Sequence, residues 1–264
     1  MKFMKTLPLL MVSGLALVGC NKTYDYATIK NSGYLNVGIT MYKPMDYFDT
    51  DGETIIGFDA ELADAFAKTM GIKTRFTIIK WDSKILELNS KKIDLIWNGM
   101  TITDELKENI DLSIPYATNY QCVVTASSNV TNYTNADSLK NLKVAVELGS
   151  AGESAANEIQ GVGSINKVGS QEAALLEVKA GTSDCAIIDV TMANSVVGKG
   201  DFTSLAAIDA EKIAFEKEDF GVGARKNSDI TDKLNKFLKD SYSSGLLDEL
   251  SKKYNVAIND ATLK

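Results

Sequence analysis

Residues 93 to 116 read IDLIWNGMTITDELKENIDLSIPY. Ile93, Leu95, Ile96 and Trp97 form a short apolar run interrupted only by Asp94, the pattern of a strand covered on both faces in an α/β protein. Asn98-Gly99 is predicted to end that strand. Thr101 or Thr103 then caps a turn over Asp104 to Asn109. Free backbone N–H groups at this junction face the space beyond the strand's C-terminal end, where small ligands sit in open α/β sheets. The stretch is therefore expected to form one wall of a ligand cleft.

The flanking sequence repeats the same alternation. Upstream, Tyr34 to Ile39 reads as a strand, followed by a loop with Tyr42, Pro44, Tyr47 and Phe48. Ile55 to Phe58 reads as a short strand, and Asp59 as the cap of a helix carrying Leu62, Ala63, Phe66 and Met70 on one face. Gly71 stops that helix. Lys73 to Ile79 is the next strand, and Asp82 or Ser83 starts a helix through Ile85, Leu86 and Leu88. The order β-α-β-α-β implies a mostly parallel sheet.

Downstream the plan recurs: strand Lys143 to Val146, a turn at Gly149, a capping box Ser150-x-x-Glu153, and a helix from Ser170 to Ala180 closed by Gly181. Asp184 to Ile188 is again a short apolar strand. Leu86-Glu87-Leu88 stands before Asp94 as Leu176-Glu177-Val178 stands before Asp184, a faint internal echo that places two helix-to-strand units in two similar lobes. Phe220 to Arg225 reads as a strand, Ser228 to Ser243 as a helix with Ile230, Leu234, Phe237 and Leu238 on one face, and Leu246 to Tyr254 as the last helix. No low-complexity linker is present, so the two lobes must be joined by strands.

A chain of 264 residues, 45% hydrophobic with 3 Pro, suffices for one large domain or two of roughly 100 to 130 residues. The formal charge of −7 becomes −9 once Lys2 and Lys5 leave with residues 1–19, where no acid lies. This balance argues against a nucleic-acid partner. There is no His, which excludes Ser-His-Asp and Cys-His nucleophile systems, His-based zinc sites and imidazole proton shuttles. The 3 cysteines, Cys20, Cys122 and Cys185, are too few and too scattered for a metal cluster or a disulfide framework. Cys122 and Cys185 lie in apolar runs and read as buried free thiols. No cofactor, metal or catalytic residue is expected, and the chain reads as a monomer.

At the N-terminus, Lys2 and Lys5 precede an apolar segment, Leu7 to Val18. A dozen residues cannot span a bilayer core of about 30 Å as a helix, so this segment reads as the apolar core of a signal peptide. Leu17-Val18-Gly19-Cys20 resembles the bacterial lipobox, in which the Cys becomes the lipidated first residue of the mature chain. The expectation is a signal peptide over residues 1–19 and an exported, membrane-anchored lipoprotein facing the periplasm or cell exterior. An acyl anchor tethers such a chain without spanning the membrane. Residues 20–33 read as a lipid-anchored tether, with the polar run to Lys30 also readable as a short first helix.

Several segments together resemble the bacterial extracellular solute-binding proteins, family 3, of amino-acid ABC transporters. They are Ile56-Gly57-Phe58-Asp59-Ala60-Glu61-Leu62-Ala63, Trp81-Asp82, Lys92-Ile93-Asp94, Gly99-Met100-Thr101-Ile102-Thr103 with Ile110-Asp111 and Pro115-Tyr116, Val144 to Glu153, and Phe220-Gly221-Val222-Gly223-Ala224-Arg225. Their order and spacing carry the resemblance. It implies an α/β, two-lobed periplasmic-binding-protein type II fold, each lobe a mixed, mainly parallel sheet flanked by helices, joined by two crossing strands. Residues 34–118 and 220–264 would form lobe one and residues 119–219 lobe two. The implied function is capture of a small polar, amino-acid-like ligand between the lobes and delivery to an ABC permease in the membrane.

Carried over by position, the resemblance makes Tyr42 and Trp81 aromatic walls for the ligand side chain. It gives Gly99 a carbonyl for an ammonium group, Thr101 a hydroxyl and N–H for a carboxylate, and Asp189 a pairing role with the α-ammonium. Ser150 and Ala151, at a helix start, would meet the ligand carboxylate, and Glu147 would occupy a side-chain pocket. On the residues alone, Trp81 also reads as core, Asp189 as a helix cap and Glu147 as a solvated strand-end acid. One position departs: where the family usually has an Arg that grips the α-carboxylate, this chain has Leu106. Arg75 and Arg225 do not match that position, and Lys107 is a poor substitute. The acids and aromatics without that Arg point to a ligand with cationic character. Two other readings stay open, a cleft-carboxylate enzyme of the dehydratase kind on the same fold and a sensing or surface lipoprotein.

Overall fold

The computed structural model describes residues 23–209 and 212–264. Leu7 to Val18 and Cys20 lie outside the described residues. Within them, no helix is long and apolar enough to cross a membrane.

Helix α1 (Asp25–Ser32) leads into β1 (Tyr34–Ile39), and a small hairpin, β2 (Tyr47–Phe48) with β3 (Ile55–Ile56), precedes α2 (Phe58–Met70). Leu62, Ala63, Phe66 and Met70 are all buried on the inner face of α2, as their helical spacing requires. Then come β4 (Lys73–Ile78), a 3-10 turn at Trp81–Ser83, α3 (Lys84–Asn89) and β5 (Leu95–Thr101). Both β4 and β5 pair parallel to β1. Thr103 caps α4 (Asp104–Asn109), its Oγ1 accepting from the Leu106 N–H at 3.2 Å.

Three local expectations are corrected. Asn98-Gly99 does not end β5. Between the pairs Ile96↔Gly223 and Met100↔Gly221 three residues of β5 stand against one of its partner, so the break is a bulge and the strand resumes to Thr101. Gly99 sits there with φ 54°, where a Cβ would lie 2.6 Å from the Tyr42 ring. Asp59 does not cap α2. Gly57 holds the cap position, and Asp59 is buried inside the first turn, accepting from the Gly99 N–H at 2.6 Å and the Tyr116 hydroxyl at 2.8 Å. In the capping box, Ser150 accepts from the Glu153 N–H as expected, but the Glu153 carboxylate reaches Gly149 N, one residue earlier than Ser150.

After β6 (Asp111–Leu112) the chain continues through β7 (Ala117–Ala126), β8 (Lys143–Glu147), α5 (Ala151–Glu158), β9 (Ser164–Val168), α6 (Gln171–Lys179), β10 (Cys185–Asp189), α7 (Val190–Val196) and β11 (Leu205–Ala207). It ends with β12 (Lys217–Ala224), α8 (Ile230–Ser243), α9 (Leu246–Tyr254) and α10 (Asp260–Leu263). The long sheet runs β4-β1-β5-β12-β7-β10-β8-β9, with β6 on β12 and β11 on β7. Parallel pairs gather at its two ends, and antiparallel pairs in the middle where β12 joins β5 and β7. Thus β7 carries the chain out of the first lobe and β12 brings it back, giving two lobes joined by two crossing strands.

The lone acid of the opening run has a structural task. Asp94 accepts from Asn36 N at 2.9 Å and from Arg225 Nη2 at 3.2 Å, while Arg225 Nε donates to Asp25 Oδ2 at 2.9 Å and Nη1 to Ile93 O at 2.8 Å. All three charged residues are buried. Their mutual pairing offsets the desolvation of each and fixes α1 against β12, so Asp25–Ser32 belongs to the folded body. Cys122 and Cys185 are buried free thiols, their pKa values pushed up to about 12 chiefly by burial.

Candidate ligand-binding cleft

A cavity of about 190 Å³ lies between the lobes. Its size suits a small solute better than a drug-sized molecule. Tyr42, Trp81, Gly99, Thr101, Leu106, Glu147, Ser150, Ala151 and Asp189 all line it. The topology explains how residues so far apart in sequence meet. Tyr42 follows β1, Trp81 follows β4, Gly99 and Thr101 end β5, while Glu147 ends β8 and Asp189 ends β10. The C-terminal ends of parallel strands from both lobes therefore point at one space.

Asp189 is 5% exposed and takes the first position before α7, yet its side chain makes no cap. Instead it accepts from Gln121 Nε2 at 2.7 Å and from the amide nitrogens of Asn119 and Gln171. Burial, then the charge of Glu218, raise its pKa to about 6. Glu147 is 3% exposed, which removes the solvated-acid reading. Its Oε1 has no hydrogen-bond partner. Burial and the charge of Asp189 push its pKa up to about 8, with Lys84 drawing it back only in part. A buried carboxylate oxygen without a donor is costly unless something supplies one.

The facing wall carries one acid at the cavity, the exposed Glu105 of α4, and is otherwise uncharged. The Thr101 hydroxyl donates to Glu218 Oε2 at 2.9 Å, so it is engaged inside the protein. Leu106 is 5% exposed, one side on the cavity and the other in an apolar cluster with Trp81, Met100 and Ile110. Trp81 combines both readings, since it belongs to that cluster and lines the cavity. The Tyr42 hydroxyl is buried and close enough to Asp189 for that charge to add to burial in raising its pKa, yet it closes no hydrogen bond of good geometry.

Three contributors escaped the sequence reading. Lys84 lines the cavity and donates to Trp81 O at 3.2 Å and to Gly149 O of the other lobe at 3.0 Å. Gln171 lines it beside Asp189. Glu218, on the crossing strand β12, collects Thr101, Asn119 and Gln121. Only the spacing of Trp81 and Lys84, three apart in a helical segment and so on one face, hinted at any of them.

The model of the bacterial extracellular solute-binding proteins, family 3, matches residues 35–257. The chain belongs to this family. It is 34% identical over 219 residues to the arginine-binding extracellular protein ArtP of Bacillus subtilis (strain 168), covering 81% of this chain and 82% of that protein. It is 31% identical over 229 residues to the L-cystine-binding protein TcyJ of Escherichia coli (strain K12), covering 86% and 84%. Among solved structures, a mutant ArgBP from T. maritima superposes with a TM-score of 0.80 at 29% identity, covering 87% of this chain and 98% of that one. As a solute-binding protein of the type II periplasmic fold, this family member binds a small solute; an ABC uptake transporter substrate binding protein from Streptococcus pneumoniae with bound histidine superposes with a TM-score of 0.79 at 29% identity, covering 87% of this chain and 95% of that one.

Proposed function

We propose that the solute is an amino acid with a cationic side chain. The carrying observation is the pair of buried acids at one cavity, Asp189 and the half-unpartnered Glu147. An α-ammonium meeting Asp189 and a second cation meeting Glu147 would complete both, with Trp81 and Tyr42 as apolar and cation-accepting walls. The likeness to an arginine-binding protein supports this reading. Cystine is the second reading, supported by the likeness to TcyJ and by the presence of both an acid, Glu147, and a cation, Lys84, at the cavity, near enough for the charge of one to act on the other, which together match a zwitterionic far end.

Thermal shift with a panel of basic, neutral, acidic and sulfur-containing amino acids tests the choice. Arginine or lysine is expected to raise the Tm most. Cystine raising it most selects the second reading, and acidic or apolar amino acids doing so overturns both. Binding is proposed to occur without turnover, so the bound compound should be recovered chemically unchanged. Cys20 is proposed as the lipidated residue. It lies three positions before Thr23, whose N–H donates to Asn227 O at 2.8 Å, so the anchor would hold the body close to the membrane as a monomer. The lobe boundaries proposed are 34–118 with 220–264 and 119–219, which fall on Thr118 and Asp219, paired across β7 and β12.

A further inference from the structure

Lys84 is a cation placed where burial disfavours one, since it is only 9% exposed. An ammonium has three donors, and two are used, on Trp81 O and Gly149 O. It also sits 4.7 Å from the Trp81 ring centroid. Gly149 immediately precedes Ser150 and α5, where the Glu153 N–H is taken by the Ser150 hydroxyl and the N–H groups of Ala151 and Gly152 lack intrahelical partners. The remaining donor of Lys84 and the positive end of α5 therefore meet at one end of the cavity, and both favour an anion.

The charges around them make this end singular. Among the described residues lining the cavity, Lys84 is the one cation, against Asp82, Glu105, Glu147 and Asp189. Leu106 brings no charge to the opposite wall. A ligand's ammonium groups have acids to meet, whereas a ligand's carboxylate has one positive side chain to meet, Lys84, which Glu147, Glu105 and Asp82 surround and which alone offsets their repulsion. Resting on the amino-acid reading above, we propose that Lys84 is the specificity-determining residue for the ligand carboxylate, so that the cavity rejects amines that carry the same side chain without it.

The rival role is a latch, in which Lys84 only ties the lobes together through Gly149 O. A latch would affect every ligand alike. Isothermal titration of the purified protein with arginine against agmatine, and with cystine against cystamine, compares compounds that differ by their carboxylates. Wild type should prefer the carboxylate-bearing partner. Lys84→Met should weaken that partner by roughly 10- to 100-fold while leaving the amine unchanged or tighter, and Lys84→Arg should restore most of the preference. Lys84→Gln serves if the Met variant does not fold. Equal weakening of both members of a pair, or an unchanged ratio, overturns the role of Lys84 while leaving the amino-acid reading intact. Wild type binding none of the four compounds overturns both.

Discussion

The wall of the cleft built by β5 and α4 presents Gly99, Thr101 and Leu106, and its one acid, Glu105, is exposed, whereas the facing wall at the ends of β8 and β10 presents Glu147 and Asp189, both buried. The first wall is finished internally: Gly99 N is spent on Asp59 and the Thr101 hydroxyl on Glu218. It supplies shape. The acidic wall keeps desolvated carboxyls whose raised pKa values show that burial opposes their ionised forms. Such a wall is incomplete until a cation enters, so ligand recognition and local instability reside in the same groups.

The largest expected effect comes from Asp189→Asn, which removes the charge on which three side-chain amides and the proposed α-ammonium converge. Binding of any amino acid should weaken by about 2 to 5 kcal/mol, read by titration calorimetry. Retained affinity would remove Asp189 from the ligand and erase the contrast between the walls.

Next comes Glu147→Gln, expected to weaken basic ligands by about 1.5 to 3 kcal/mol and neutral ones far less. Its pH dependence is specific. Glu147 titrates at about 8 and Asp189 at about 6 in the folded protein, both raised chiefly by burial. The folded state thus keeps protons that the unfolded chain has already released. The contribution of these two groups to ligand-free stability is full below the ordinary carboxylate range and is lost as pH rises through about 6 for Asp189 and about 8 for Glu147. Affinity for a cationic ligand should climb over the same interval as the carboxylates ionise. In Glu147→Gln the upper part of both trends should flatten, as denaturant melts and titrations from pH 5 to 9 will show.

The smallest effect is expected from Leu106→Arg, which brings a positive charge to the wall built by β5 and α4. Half of Leu106 packs against Trp81, Met100 and Ile110, so the bulkier side chain should cost about 1 to 3 kcal/mol of stability, a Tm loss of several degrees. If its guanidinium enters the cavity, carboxylate-bearing ligands gain over their decarboxylated analogues. An unchanged ligand preference would mean that this position belongs to the apolar cluster alone.

The outline of the fold was legible because it rests on periodicity. β1, β4, α2, α6 and α9 follow from apolar spacing and from glycine or hydroxyl stops within a residue or two. Where local chemistry allowed two outcomes, long-range contacts chose. Asp59 has the chemistry of a cap, but Gly99 N and the Tyr116 hydroxyl drew it inside; Asn98-Gly99 reads as a strand end, but pairing with β12 across a bulge carried the strand onward.

The site divides in the same way. By itself the sequence determined the alternating elements, the absence of imidazole chemistry and, through resemblance, nine residues that line one cavity. The burial of Lys84 and Glu147 was settled only when Gly149 of one lobe came to rest against Asp82 of the other, where a Cβ on Gly149 would lie 2.9 Å from Asp82 Cα. Charge and spacing are properties of the chain, but desolvation is a property of what surrounds a group. For these residues the surroundings come from a lobe more than sixty positions away along the chain.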